Sequence, residues 1–464
     1  MPAQAIADCV LFPELFDRPL TVRFDLPHAS SDGGAVLLKK ADAELGLTEL
    51  LAECLTDCRQ AGKVEHNTHE MLSQRVFGLA CGYTDTNDAA RLAHDPVSKL
   101  MLDRDPVSGS DLASQPTLSR FENSVGRTEL YRMGEVLCGV VIDHHRRRLA
   151  GRCRRVTVDL DSTVDPTHGA QQLSFFHGYY DTWCYLPLLG FLSFDHEPEQ
   201  HLCGAILRPG KGSDRRGALG VLRRIVPHLR QAFPKARILV RLDGGFAAPE
   251  IFDFLDREPR VKYVVNMAKN KVLKRLARRL MGRARRLSRA SGQTEHVYGE
   301  CRYAARRWRH QRRVVIKAEV VRHPGRKPKD NPRFVITNIR PRTPRWIYER
   351  VYCARGDVEN RIKELKDDMA IDRTSCSRFL ANQFRVLLTA AAYVLMQVLR
   401  SHACATACAR AQVATLRIRL LKLGAQVSSS TRRIVVRLPQ RAPFADLWIQ
   451  VARSLGACPR PARV

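Results

Sequence analysis

The spacing of hydrophobic positions changes near residue 155. Before that point apolar residues recur three and four apart, the period of helices with one buried face; after it, short β-branched runs alternate with period two. In the first stretch Asn67-x-x-Glu70 reads as a capping box opening a helix over Thr68 to Cys81, and Asn87 caps a short helix that stops before Pro96. A loop rich in Asp, Ser and Pro runs from Asp95 to Pro116, and helices resume at Thr117 and over Thr128 to His145. Short helices joined by short turns, with Arg120 exposed near one N-terminus, suit a helix-turn-helix-like DNA reader and a plain helical packing domain equally well.

The basic run Arg146-Arg147-Arg148, followed by Arg152, Arg154 and Arg155, marks the join to an alternating region. Val156 to Thr163 is a strand with Val158 and Leu160 facing the core and Asp159 and Asp161 on the other side. Strands over Leu173 to His177, Cys184 to Phe194 and His201 to Arg208 predict an antiparallel meander. Arg215 to Phe233 is an amphipathic helix with Leu219, Leu222, Ile225, Val226 and Leu229 inward. Ile238 to Leu242 is a buried strand ending in Asp243-Gly244-Gly245, and two glycines there permit a tight turn with the carboxylate at the strand's carboxyl end. A helix over Pro249 to Asp256 and a strand over Val261 to Met267 follow, and further strands are expected at Tyr298 to Tyr303, Val314 to Arg322 and Arg333 to Arg340. The apolar helix Arg378 to His402 is interrupted and polar at its ends, which predicts packing on the sheet rather than a membrane span. The tail gives a helix near Val413 to Leu423, a strand over Arg432 to Leu438 and a helix over Phe444 to Leu455.

Charge narrows the function. The 464 residues allow two or three domains, and 77 Lys and Arg against 47 Asp and Glu give a net charge of +30, which calls for a polyanionic partner. Nucleic acid fits better than a membrane surface, because no apolar run reaches the roughly 18 to 20 residues of a spanning helix. The opening Met1-Pro2-Ala3-Gln4 lacks a signal layout, so a soluble cytoplasmic protein is expected. From Lys269 to Lys329 there are 21 Lys and Arg against 3 Glu and no Asp, a net +18 that begins with a very basic helix over Lys271 to Arg289. A nonspecific anion patch is the plainer reading of that segment. The 14 cysteines form no C-x-x-C pair and lack His or Cys partners at finger spacing, so they read as small core residues in a reducing compartment.

The candidate chemistry centres on Tyr352 to Lys366. On a helix turning roughly 100° per residue, Tyr352, Arg355, Glu359 and Lys366 project within an arc of roughly 60°. A solvated face with an Arg355 to Glu359 ion pair is the plain alternative. The spacing Y-(2)-R-(3)-E-(6)-K resembles the signature of bacterial insertion-sequence transposases of the DDE type, in the insertion sequence 4 superfamily and most like its insertion sequence 1380 family. Ser114 to Glu122 and Gly178 to Trp183 resemble segments of the same group.

That resemblance implies an α/β fold: a ribonuclease H-like catalytic core interrupted by a basic, mostly β insertion, with a helical N-terminal domain. The boundaries expected are 1–150 for the helical DNA-binding domain, 151–268 and 333–403 for the two parts of the core, 269–332 for the insertion, and 404–464 for a segment suited to dimerisation. It implies that Glu359 is the third of three metal-binding carboxylates, with Asp161 in the family's Asp-Ser/Thr-Thr pattern on the first strand and Asp243 on the fourth. Asp159 is then a neighbour. The three acids would hold two Mg²⁺ or Mn²⁺ ions, while Tyr352, Arg355 and Lys366 hold DNA phosphates, Arg120 serves DNA reading, and Trp308 stacks on a flipped base. The implied activity is cut-and-paste transposition on double-stranded DNA, both element ends and target, by a homodimer with no membrane partner. The alternatives are a non-catalytic DNA-binding protein descended from a transposase, and a ribonuclease H-like nuclease without strand transfer.

Overall fold

The period-two runs assemble into one nine-stranded mixed sheet in the computed structural model, which describes residues 12, 14–212 and 215–458. The Met1 to Gln4 opening lies outside them. Across the sheet the strands run Glu295–Tyr303, Arg312–Val321, Arg333–Thr337, Val261–Met267, Arg237–Leu242, Arg155–Ser162, Leu188–Phe194 and His201–Ile206, with Lys329–Asp330 pairing off this path on Arg312–Val321. Arg155–Ser162, Arg237–Leu242 and Val261–Met267 are mutually parallel, and the other pairings are antiparallel. Parallel strands are covered on both faces, which explains why neighbours on opposite faces are buried alike: Thr157 with Val158, Leu239 with Val240, and Val264 with Val265. The helices Ala218–Ala232 and Pro249–Arg257 connect and cover these strands.

Three expectations change. Pro187 has no N–H to give a ladder, and its carbonyl instead accepts the Thr163 N–H at 3.0 Å, so the run read as Cys184 to Phe194 splits there. Its first part, Thr182–Tyr185, pairs with Asp165–Pro166 and Phe175–His177 in a separate three-stranded sheet, and the meander is Arg155–Ser162, Leu188–Phe194 and His201–Ile206. The basic insertion is not mostly β: it contributes the helices Lys271–Leu276 and Arg278–Ser291 as well as strands. Those strands are continuous with the main sheet, because Val314, Val315 and Ile316 are buried and hydrogen-bonded to Arg333–Thr337. Finally, the helix Phe379–His402 packs inside the protein as expected, but the premise changes: an 18-residue stretch of it has a mean hydropathy of 1.4, apolar enough for a membrane span, and 83% of that stretch is buried within the protein.

The chain divides into two units, residues 1–44, 57–121 and 395–464 in one, and 45–56 and 122–394 in the other. The boundary read at residue 150 therefore falls near residue 121. The reason is packing: the helix Arg127–Arg148 belongs with the sheet, where the His145 ring lies 4.0 Å from His201 and 4.5 Å from Phe194, centre to centre. The tail is likewise not separate from the N-terminal residues. Ala29–Ser30 pairs with Ala425–Ser430, and Gly34 lies so close to the Leu420 carbonyl that a Cβ would sit 1.7 Å from its oxygen. In the same unit the capping box on Thr68–Cys81 forms as read, with the Glu70 N–H donating to Asn67 Oδ1 at 2.9 Å. The next helix, Thr86–Leu92, is capped by Asp85 rather than Asn87, and Pro96–Met101 is helical where a loop was expected, with Pro in its first turn and Asp95 accepting the Ser98 N–H at 2.7 Å.

Candidate active site

Asp161 and Asp243 stand beside each other because the parallel register pairs Leu160 with Leu242, one residue before each. Asp161 is the penultimate residue of its strand, and Asp243 follows the last residue of the neighbouring one, where Gly244–Phe246 turns the chain away. This is the carboxyl edge of the parallel strands, the place where open α/β sheets bind ligands. On the third parallel strand the corresponding place holds Asn266, whose Nδ2 donates to Asp243 Oδ1 at 3.3 Å. Sequence reasoning missed Asn266; the available signal was a polar residue ending a buried strand, Val261–Met267, that neighbours an Asp-bearing one.

Asp159 is excluded from this edge by what it already does. Its carboxylate is fully buried and takes a bidentate pair from Arg241, directly opposite in the register, at 2.7 and 2.6 Å. Asp165, also fully buried, accepts the Thr374 hydroxyl at 3.0 Å on both oxygens, and burial pushes its carboxyl up to about 8. Both are held inside the protein. Asp161 remains partly open.

The run carrying Glu359 is not a uniform α-helix. Ile347–Tyr352 is a π-turn, Cys353–Gly356 is 3-10, and the α-helix proper is Asp357–Asp367. Widening and then tightening of the backbone breaks the constant 100° step, so the single 60° arc does not survive. The residues gather nonetheless. Arg355 is buried, and its Nη2 lies 2.7 Å from Asp161 Oδ1. That nitrogen and Nε both lack a well-directed hydrogen bond, so the guanidinium is paired by charge but left with unsatisfied donors. Tyr352 packs against the core cluster of Leu239, Val264, Val335 and Tyr348; burial pushes its phenol up, and the charge of Asp243 adds to that. Lys366 donates to the Val164 carbonyl, just beyond the Asp161 strand, and sits 3.7 Å from Asp372. Glu359 is exposed on the first turn of its helix.

Burial pushes the Asp161 carboxyl up to about 6; Arg355 pulls it down, while the nearby charges of Asp243 and Glu359 push it further up. Asp243 and Glu359 are thus each within electrostatic reach of Asp161. Hard carboxylate oxygens suit a divalent cation in kind. Among the described residues, however, no three His, Cys, Asp or Glu side chains are gathered around one point, and an arginine faces Asp161 in the position a cation would fill.

Trp308 and Arg120 are placed elsewhere. The Trp308 ring is half-buried in edge contacts with Phe252 at 5.1 Å and Tyr303 at 5.4 Å, with the Arg312 guanidinium 5.2 Å from its centre, and none of these partners is one of the three acids. Arg120 is exposed on Gln115–Ser124, which belongs largely to the other unit. Several insertion arginines are also occupied: Arg285 pairs with Asp330, Arg309 with Asp253, Arg312 with Asp253 and Asp256, and Arg313 with Glu300. By contrast Arg279, Arg283 and Arg286 lie exposed along one face of the helix Arg278–Ser291.

A family model described as Transposase DDE domain group 1 matches residues 12–459. No curated protein matches the chain.

Proposed function

The chain belongs to the DDE transposases, and from that premise we propose that it binds the ends of its element as double-stranded DNA, cuts there, and joins the freed end to a target by a cut-and-paste route. What supports the reading is Asp161 and Asp243 side by side at the carboxyl ends of parallel strands, next to a buried guanidinium whose donors await an acceptor. Two strand carboxylates and one helix carboxylate are the arrangement of a ribonuclease H-like core. The order of an antiparallel meander followed by two parallel strands agrees with it.

Asp161, Asp243 and Glu359 would hold two Mg²⁺ or Mn²⁺ ions, which when bound activate the attacking oxygen and stabilise the leaving one. The protein's own groups do the rest. Arg355 and Lys366 bond oxygens of the scissile phosphate, Tyr352 orders the strand end beside Asp243, and Asn266 fixes the Asp243 carboxylate. Phosphate oxygens would meet the donors of Arg355 that now lack directed partners, a charge-assisted bond of the kind arginine makes best. The Y-R-E-K spacing supports a place in the insertion sequence 4 superfamily, most like the insertion sequence 1380 family. We assign the exposed cations of the insertion to backbone contacts along the element end, and a homodimer to the DNA complex.

Substituting Asp161, Asp243 or Glu359 by Ala tests the reading. Each variant should retain element-end DNA in a shift assay and lose Mg²⁺-dependent cleavage. A wild-type protein that cuts but never joins would reduce the proposal to a nuclease.

A further inference from the structure

The opposite edge of the parallel strands carries a second basic surface far from the acids. A groove of about 1720 Å³ runs across the amino ends of Arg155–Ser162, Arg237–Leu242 and Val261–Met267 and the carboxyl end of the antiparallel neighbour Arg333–Thr337. An exposed cation stands at this end of each of the four adjacent strands: Arg237 and Lys262 within theirs, Arg154 just before the first, and Arg340 three residues past the last. Arg152 and Lys235 stand beside the first two, also exposed. Among the described residues none of these six has a carboxylate within ion-pair distance.

The one acid in the lining is already used. Asp195 Oδ1 accepts the backbone N–H groups of Arg154 at 2.9 Å and Arg155 at 2.8 Å. The Arg155 side chain reaches the Asp195 carbonyl, and its buried Nε has no partner. At the far end the Arg342 guanidinium lies 5.0 Å from the centre of the half-exposed Trp346 ring.

Strands in a sheet lie about 4.8 Å apart, so four of them set their cations in a row roughly 15 Å long. That is too long for one phosphate or a mononucleotide. It is long enough for several successive phosphates of a nucleic-acid strand, which rise about 3.4 Å each along the axis and stand further apart along the backbone itself. From Arg155 to Asp161 the chain covers six strand residues, roughly 20 Å, so the phosphate at the acids and the phosphates in this row are not neighbours on one strand. We propose that this edge is a second DNA-binding groove, which holds the backbone of a duplex segment other than the one being cut. It rests on the transposase reading above. The duplex is either target DNA or the interior of the element end, and the backbone chemistry is the same for both.

The test replaces Arg154, Arg237, Lys262 and Arg340 by Gln in the full-length chain. Affinity for a non-cognate duplex should fall, and the slope of log affinity against log salt should flatten by three to four units, about 0.9 for each lost phosphate contact. Cleavage of a short end duplex that reaches only the acids should stay within about twofold of wild type. Loss of joining with long-end binding intact identifies target DNA, and loss of affinity for long but not short ends identifies the element interior; either supports the groove. An unchanged salt slope with every duplex overturns it, as does a variant that binds normally but cannot cleave the short end. The milder pair Arg152→Gln and Lys235→Gln, both outside the strands, reads the same slope at about half the size if the fourfold variant folds poorly. The binding arm needs no catalysis, so it separates failure of the groove from failure of the transposase reading.

Discussion

The pair Asp159 and Arg241 gives the most direct test of which aspartate on the first parallel strand does chemistry. The carboxylate is fully buried, the Arg241 side chain is 9% exposed, and two hydrogen bonds of 2.7 and 2.6 Å join them. Burial pushes the Asp159 carboxyl up while Arg241 pulls it down. Removing one partner of such a pair strands the other charge in the interior, at a cost of about 3 to 5 kcal/mol, whereas replacing both by apolar side chains of similar volume is neutral or stabilising. Asp159→Leu and Arg241→Met should each lower stability by about that amount in urea unfolding, and the double variant should recover most of it, leaving a coupling energy of a few kcal/mol. Arg241→Lys should also destabilise, because an ammonium cannot make the bidentate contact. The double variant, once folded, should cut DNA at close to the wild-type rate per folded molecule. Stable but inactive double-variant protein, together with an active Asp161→Ala, would falsify the assignment of Asp161.

Further outcomes follow from the same geometry. With Asp161 pushed up to about 6, the carboxylate is about nine-tenths ionised at pH 7 and about one-tenth at pH 5, so the Mg²⁺ concentration for half-maximal cleavage should rise about tenfold over that interval; an ordinary aspartate near 3.8 would give almost no change. Arg355→Ala removes the cation that holds Asp161 down, so the rise in Mg²⁺ demand should begin at higher pH, and cleavage should slow far more than DNA affinity falls. Tyr352→Phe should be milder than Tyr352→Ala, and normal cutting by both Arg355→Ala and Lys366→Ala would remove this helix from the site. In the insertion, Arg279, Arg283 and Arg286 changed together to Gln should flatten the salt slope of end binding by up to about three units, whereas Arg312→Gln should chiefly destabilise the protein, because Arg312 is buried and bridges Asp253 and Asp256.

The strands that carry Asp161 and Asp243 were legible because Val156 to Thr163 alternates and Ile238 to Leu242 is an apolar run closed by Asp-Gly-Gly, a sequence that serves a plain turn as readily as an exposed carboxylate. The split at Pro187 was legible in principle: a proline cannot sit in a central ladder, but the apolar run on both sides of it outweighed the single residue. The insertion misled for a different reason. Its arginines suggested a separate surface module, yet the alternation in Arg312–Val321 buries Val314, Ile316 and Ala318 along one strand of the main sheet, and charge density says nothing about which sheet a strand joins. The division of the helical region was not legible at all. Nothing local to Arg127–Arg148 announces that His145 stacks on His201, because that contact is fixed by the tertiary arrangement of residues more than fifty positions apart.

The helical signature shows the limit of periodicity most clearly. Equal rotation per residue put Tyr352, Arg355, Glu359 and Lys366 on one face, and the backbone does not rotate equally there: a π-turn ends at Tyr352 and a 3-10 turn occupies Cys353–Gly356. Yet Arg355 reaches Asp161 and Tyr352 feels the charge of Asp243. The irregular winding is what allows both: the π-turn keeps Ile347, Tyr348 and Val351 packed in the core cluster while the tighter turn after it aims Arg355 at the strand end. π-turns inside helices recur at functional sites because they shift side chains out of the helical sequence of directions. Arg355 and Tyr352 therefore approach the two strand-end aspartates without sharing a regular helical face. A variant that regularises the winding should misdirect Arg355 without removing any functional group. Deleting Ala354, one residue of the tight turn, should leave Asp161 and Asp243 in place and abolish the Arg355 to Asp161 contact, and its cleavage defect should be at least as large as that of Arg355→Ala. Cleavage at the wild-type rate by the deletion would show that the winding plays no part in aiming the side chain.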